Sequence, residues 1–197
     1  MMSRFIERST RASHRIQVNR RGFIKFGLLA TVAATFEPAC AIAAVTRRPN
    51  SNRNLSFFNT HTGEHLDVCY CQDGAYRSGA LNKITYILRD HRTGDVKAID
   101  TRVLDILYTL SRRLDTPGPF HIISGYRSAA TNAALHRKSK GVATHSFHIR
   151  GMAIDFRVPN CRTNTVHTAA VKLRAGGVGY YPKSDFVHVD CGPVRYW

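Results

Sequence analysis

Two histidines and an aspartate crowd the stretch THSFHIRGMAIDFRV, residues 144–158, and a third histidine stands in DFVHVD, residues 185–190. His148, Asp155 and His188 together offer two imidazoles and a carboxylate. That donor set leaves a fourth tetrahedral position for water, as in a catalytic rather than a structural zinc centre. Hydrolysis there also needs an acceptor for the water's proton and a cation for the developing oxyanion. Asp185, three residues before His188, and Arg127, in SGYRS, are the groups of the right type. The competing reading is a histidine-rich loop ahead of an ordinary core strand.

For the chemistry to exist, the backbone must bring these residues together. In MAIDFRV, Met152, Ile154, Phe156 and Val158 share one face of a strand and Ala153, Asp155 and Arg157 the other. Gly151 lets the preceding loop fold back and set His148 beside Asp155. DFVHVD repeats the device, with Val187 and Val189 opposed to Phe186, His188 and Asp190. If the two strands are neighbours, the three donors converge. A rigid strand would aim Asp185 at the wrong face, so its role requires a turn.

The remaining elements follow from periodicity and punctuation. LSFFNTHTGEHLDVCY, 55–70, reads as a β-hairpin, and FHIIS, 120–124, as a short strand leading to Arg127. Helices are expected over 81–94, over 100–114 with Asp100 as N-cap and Pro117-Gly118-Pro119 as stop, over 128–139 from Ser128, and over 164–177. Helices and strands alternate without a βαβ rhythm, so the class is α+β. Residues 45–54, VTRRPNSNRN, read as a flexible linker before a single domain spanning 55–197.

SGYRS, SFHIRGMAIDF and DFVHVD resemble the three motifs of the zinc D-Ala-D-Ala carboxypeptidase and VanX-like metallopeptidase superfamily, and most of all its murein endopeptidase K (YcbK-like) branch. The pattern Ser-x-His-x-x-Gly-x-Ala-x-Asp fits at Ser146, His148, Gly151, Ala153 and Asp155, and the likeness extends through LRDHRTG, GGVGYYP and GPVRYW. The resemblance implies a hedgehog/D-Ala-D-Ala-peptidase-like fold, a small antiparallel sheet flanked by helices. It implies Zn2+ on His148, Asp155 and His188, a general base at Asp185, substrate or transition-state contact from Arg127 and substrate contact from Ser146. It also implies hydrolysis of peptidoglycan stem-peptide or cross-link bonds, D-Ala–mDAP or mDAP–mDAP. A second reading keeps the fold without the catalysis, as a peptidoglycan-binding scaffold. His145 belongs at the rim of the site rather than among the ligands.

Residues 1–25 carry seven basic residues and one Glu, and Arg20-Arg21 precede an apolar run of eleven, 26–36. That run is shorter than the ~20 residues a spanning helix needs. With AIAA at 41–44 for cleavage, 1–44 resembles a twin-arginine export signal, which places the protein in the periplasm with no stable membrane insertion afterwards. A basic anchor retained uncleaved is the competing reading. Removing 1–44 takes seven of 29 basic and two of 13 acidic residues, leaving 22 against 11. In an exported protein that excess faces envelope polyanions. Nucleic acid is not an expected partner, because apart from HRKSK, 136–140, the basic residues are scattered. Four cysteines remain, enough for two disulfides with three connectivities. A bridge between Cys161 and Cys191 is expected, since both lie close to ligand strands.

Overall fold

The computed structural model describes residues 52–116, 118–139 and 141–197. The expected export signal, 1–44, and almost all of the expected linker lie outside the described residues. In chain order the elements are β1 (Arg53–Asn59), β2 (His65–Gln72), β3 (Ala75–Tyr76), α1 (Ser78–Ile87), α2 (Thr101–Leu114), β4 (Phe120–Ser124), α3 (Ala129–Lys138), β5 (Ala153–Arg157), α4 (Thr163–Leu173), β6 (Gly177–Tyr181), β7 (Phe186–Asp190) and β8 (Arg195–Tyr196). Single 3₁₀ turns at Phe147–Arg150 and Pro182–Ser184 precede β5 and β7.

The strands form one sheet in the order β3-β2-β1-β4-β5-β7-β6-β8. The α+β class holds, and the sheet is larger than expected and mixed rather than antiparallel: β1 pairs with β4, and β6 with β8, in parallel. The β1–β4 pair closes only after β2, β3, α1 and α2 have intervened. A crossover that long leaves no mark in the local pattern of either strand. β1 also starts inside the expected linker, where Arg53 reaches Asp105 on α2 at 2.6 Å.

One face of the sheet is the core. Phe57, Phe120, Ile122, Ile154, Phe156, Val187 and Val189 are at most 2% exposed there and pack with Val103, Leu104, Leu107 and Leu110 of α2 and Val166 of α4. Asp100 caps α2 as its sequence suggests, its side chain accepting from the Arg102 N–H at 2.9 Å, and Ser128 caps α3 by accepting from the Thr131 N–H at 3.2 Å. Each cap satisfies a backbone donor that the helix start leaves unpaired.

α1 stops at Ile87, seven residues before the expected end. The buried Asp90 side chain accepts backbone N–H groups from Arg92 (3.0 Å) and Ser128 (2.9 Å), and a carboxylate that captures backbone donors competes with helix continuation. β6 was not visible as a strand because GGVGYYP has too little alternation to announce one, and β8 was not visible because two residues are too few to show any.

Candidate metal centre

β5 and β7 are adjacent and antiparallel, with Ala153 opposite Asp190, Ile154 opposite Val189 and Asp155 opposite His188. Because side chains alternate across a strand, sending the isoleucine and valines to the core sends Asp155 and His188 together to the other face. His148 joins them from the 3₁₀ turn ahead of β5. Ser146 starts that turn by accepting from the His148 N–H at 3.3 Å, and Gly151 ends it at φ +69°. A Cβ on Gly151 would lie 2.3 Å from the Ala98 carbonyl oxygen, so the chain reverses here only as glycine.

The three residues are 3%, 6% and 7% exposed in the order His148, Asp155, His188. His188 Nδ1 lies 2.7 Å from Asp155 Oδ1, His148 Nε2 3.2 Å from Asp155 Oδ2, and the two ring nitrogens 3.2 Å from each other. Among the described residues this is the group whose donor atoms, all within 4.8 Å, are placed to hold a metal ion.

The outer ring nitrogens show which atoms face inward. His148 Nδ1 is 2.7 Å from the Gly125 carbonyl oxygen, which can only accept, so Nδ1 carries the proton and Nε2 presents a lone pair. His188 Nε2 donates to Asp190 Oδ2 at 3.0 Å, leaving Nδ1 toward the centre. Imidazoles oriented by an outer carbonyl and an outer carboxylate are the usual support of a metal site. Gly125 can approach because it lacks a side chain, since a Cβ there would sit 2.5 Å from the Leu88 carbonyl oxygen.

Burial, the largest influence on each group, is opposed differently around the cluster. It pulls His148 below its ordinary value and keeps that ring neutral. At His188 hydrogen bonds to Asp155 and Asp190 outweigh it and push the ring up to about 9. Asp155 stays well below the usual carboxylate range despite its burial, because the histidines favour its charged form. These shifts favour an ionised Asp155 facing the two rings, and a cation held there would compete with the proton on His188.

Arg127 comes alongside from the loop after β4. Its Nη2 lies 3.5 Å from Asp155 Oδ2 and 3.3 Å from Ser124 Oγ, and its Nη1 donates to Asn132 Oδ1 at 3.2 Å. Its Nε is buried with no protein partner among the described residues. A cleft of about 480 Å³ opens over the cluster, lined by Arg127, Ser146, Phe147, Tyr181, Phe186 and Trp197 among others, with His145 also on its lining.

Asp185 is not brought into the cluster. It occupies the left-handed turn its role requires, at φ +51°, but its side chain is 59% exposed and turned to Arg157 (3.4 Å) and the Thr163 hydroxyl. The expected Cys161–Cys191 bridge is not formed, and both residues are thiols. The antiparallel register explains why. Cys191 follows the end of β7 and donates its N–H to Met152, at the start of β5, whereas Cys161 lies beyond the other end of β5. Five strand residues separate those ends by roughly 13 Å or more at ~3.3 Å per residue, beyond the ~7 Å Cα separation a disulfide tolerates.

Asp190, Asn132 and the Gly125 carbonyl were missed as parts of the site. Only Asp190 had a visible signal, its shared strand face with His188.

Residues 47–197 match the family described as peptidoglycan L,D-endopeptidase MepK. The chain is 39% identical over 183 residues to the peptidoglycan L,D-endopeptidase MepK of Escherichia coli (strain K12), covering 93% of this chain and 99% of that protein, and the Shigella flexneri protein of the same name gives the same figures. It is also 39% identical over 184 residues to the probable peptidoglycan L,D-endopeptidase MepK of Haemophilus influenzae, covering 92% and 97%.

Proposed function

Since the chain belongs to the family described as peptidoglycan L,D-endopeptidase MepK, and is thereby a peptidase, we propose that it is an exported zinc endopeptidase that cuts peptidoglycan cross-links. The observation that carries this reading is the buried His148–Asp155–His188 group on the floor of a cleft, each imidazole oriented by an outer acceptor. Two nitrogens and one carboxylate oxygen, open on one side to the cleft, suit zinc in a hydrolytic site. The relatives' name favours a bond between an L and a D centre. Of the two cross-links considered, mDAP–mDAP has that stereochemistry.

When bound, zinc would supply Lewis acidity at the scissile carbonyl and the attacking water. The chain's own residues do the rest. Arg127, fixed by Asn132 and Ser124, holds a guanidinium beside the cluster on the lining of the cleft, where its charge would steady the developing oxyanion. Asp185 receives the water's proton once its carboxylate swings from Thr163 and Arg157 toward the cleft. Ser146 lines the cleft and caps the turn that carries His148, so its substrate role and its positioning role are compatible.

Incubating metal-quantified protein with muropeptides of defined cross-link, followed by mass analysis, tests the proposal. The expected product is the cleaved mDAP–mDAP dimer, lost with chelator and restored by zinc. Arg127→Lys should lower kcat at least about tenfold, because a point charge does not reproduce the planar fork. No turnover of any cross-linked or stem-peptide substrate by the metal-loaded parent would favour the scaffold reading instead.

Export rests on Arg20 and Arg21, outside the described residues. No described helix is long and apolar enough to cross a membrane. With both arginines replaced by lysine, the precursor should stay inside the cell, as read by fractionation. Normal processing of that variant would mean a different export route.

A further inference from the structure

Asp190 has no exposed surface, and several donors converge on its carboxylate. They are the backbone N–H groups of Gly177 (3.2 Å) and Gly192 (2.8 Å), the His188 ring at 3.0 Å, and both terminal nitrogens of Arg195, at 3.1 and 2.7 Å. Arg195 is itself gripped. Its Cζ lies 4.9 Å from the ring centroids of both Phe147 and Trp197. Trp197 is tied down in turn, its indole N–H donating to the Tyr181 hydroxyl at 2.8 Å and its backbone bonded to Val178 and Tyr180 of β6. Its ring lies 5.3 Å from that of His188.

β6 leaves room for this arrangement. A Cβ on Gly177 would fall 2.5 Å from both Arg195 Nη1 and Asp190 Oδ2, and one on Gly179 would fall 2.8 Å from the indole. Glycine inside a strand marks the close approach of another group. Here the approaching groups are Arg195, Asp190 and Trp197.

We infer that Arg195, held between Phe147 and Trp197, is a positioning residue: by clamping Asp190 it fixes the His188 ring with Nδ1 toward the metal position. The inference rests on the metal reading above. A buried carboxylate gripped by a planar fork is restrained in both position and rotation. Without the fork the Gly177 and Gly192 N–H groups still hold Oδ1, but Oδ2 keeps only its bond to His188, so the carboxylate can turn about Oδ1 and the ring can turn with it. Trp197 reinforces the clamp by packing against Arg195 and His188.

Zinc affinity, measured by competition with a chromophoric chelator, and the visible spectrum of the cobalt-loaded protein report ligand geometry without any turnover. Arg195→Gln should weaken zinc binding about 10–100-fold, the usual effect of losing outer support, and alter the cobalt spectrum. Arg195→Lys should recover part of the affinity, and Trp197→Ala should lose a smaller part. Arg89→Gln, which breaks a half-buried pair with Glu64 that touches none of these residues, should change neither readout. If Arg195→Gln does not fold, Arg195→Lys and Trp197→Ala decide the matter. Parental affinity and spectrum in those variants would overturn the inference. A parent that binds neither zinc nor cobalt would instead sink the metal reading itself.

Discussion

His148→Ala should leave the protein without bound zinc and without measurable turnover. The substitution removes a neutral Nε2 donor that no neighbour replaces. It also strips the buried Gly125 carbonyl of its donor and Asp155 of one of its two histidine contacts. Leaving buried polar groups unsatisfied costs about 1–3 kcal/mol each. A ligand that binds only the folded state adds roughly 4 kcal/mol when present at about 1,000 times its Kd, and the variant forfeits that increment as well. The signature is therefore a melting temperature that rises with zinc in the parent and not in the variant, with elemental analysis showing the lost stoichiometry. His188→Ala and Asp155→Ala should behave alike. Full zinc content in all three would mean the metal is held elsewhere.

Asp185→Asn should do the reverse, keeping the metal and the fold while losing the rate. The side chain is exposed and contacts none of the three clustered residues, so an isosteric amide disturbs neither the core nor the ligands. What disappears is the proton acceptor. General-base contributions are typically about 10²–10⁴-fold, or roughly 3–5 kcal/mol of barrier. The loss should appear in kcat with zinc content and sacculus binding unchanged. A variant that loses zinc would reveal Asp185 as a ligand, and a fully active one would assign the base to another group. The present contacts with Arg157 and Thr163 add a condition, since the carboxylate must leave them to act.

Much of this site was legible before any coordinates because strand alternation is a local property. Each Cβ points to the face opposite its neighbour's, so Ile154 and Val189 in the core oblige Asp155 and His188 to share the other face. The caps at Asp100 and Ser128 were equally local, each a short polar side chain meeting the first unpaired N–H groups of a helix. The same alternation meant that Asp185 could serve as base only from a turn, whose left-handed form the structure supplies. What sequence by itself determined about this protein is thus which residues could meet and which faces they had to share.

Only the tertiary structure decided that they do meet. Strand order and register depend on how distant segments bury apolar surface together, and the same alternation is compatible with many pairings. The direct opposition of Asp155 and His188, the parallel β1–β4 and β6–β8 pairs, and the aim of Asp185 toward Thr163 all lay beyond local pattern. The clamp of Arg195 on Asp190 lay beyond it too, because β8 reaches β6 only by running parallel to it past two glycines. Cys161 and Cys191 show the limit most plainly. Both lie near ligand strands in sequence, yet an antiparallel pair places the residues that follow its two strands at opposite ends, and a thiol has no reach across that length.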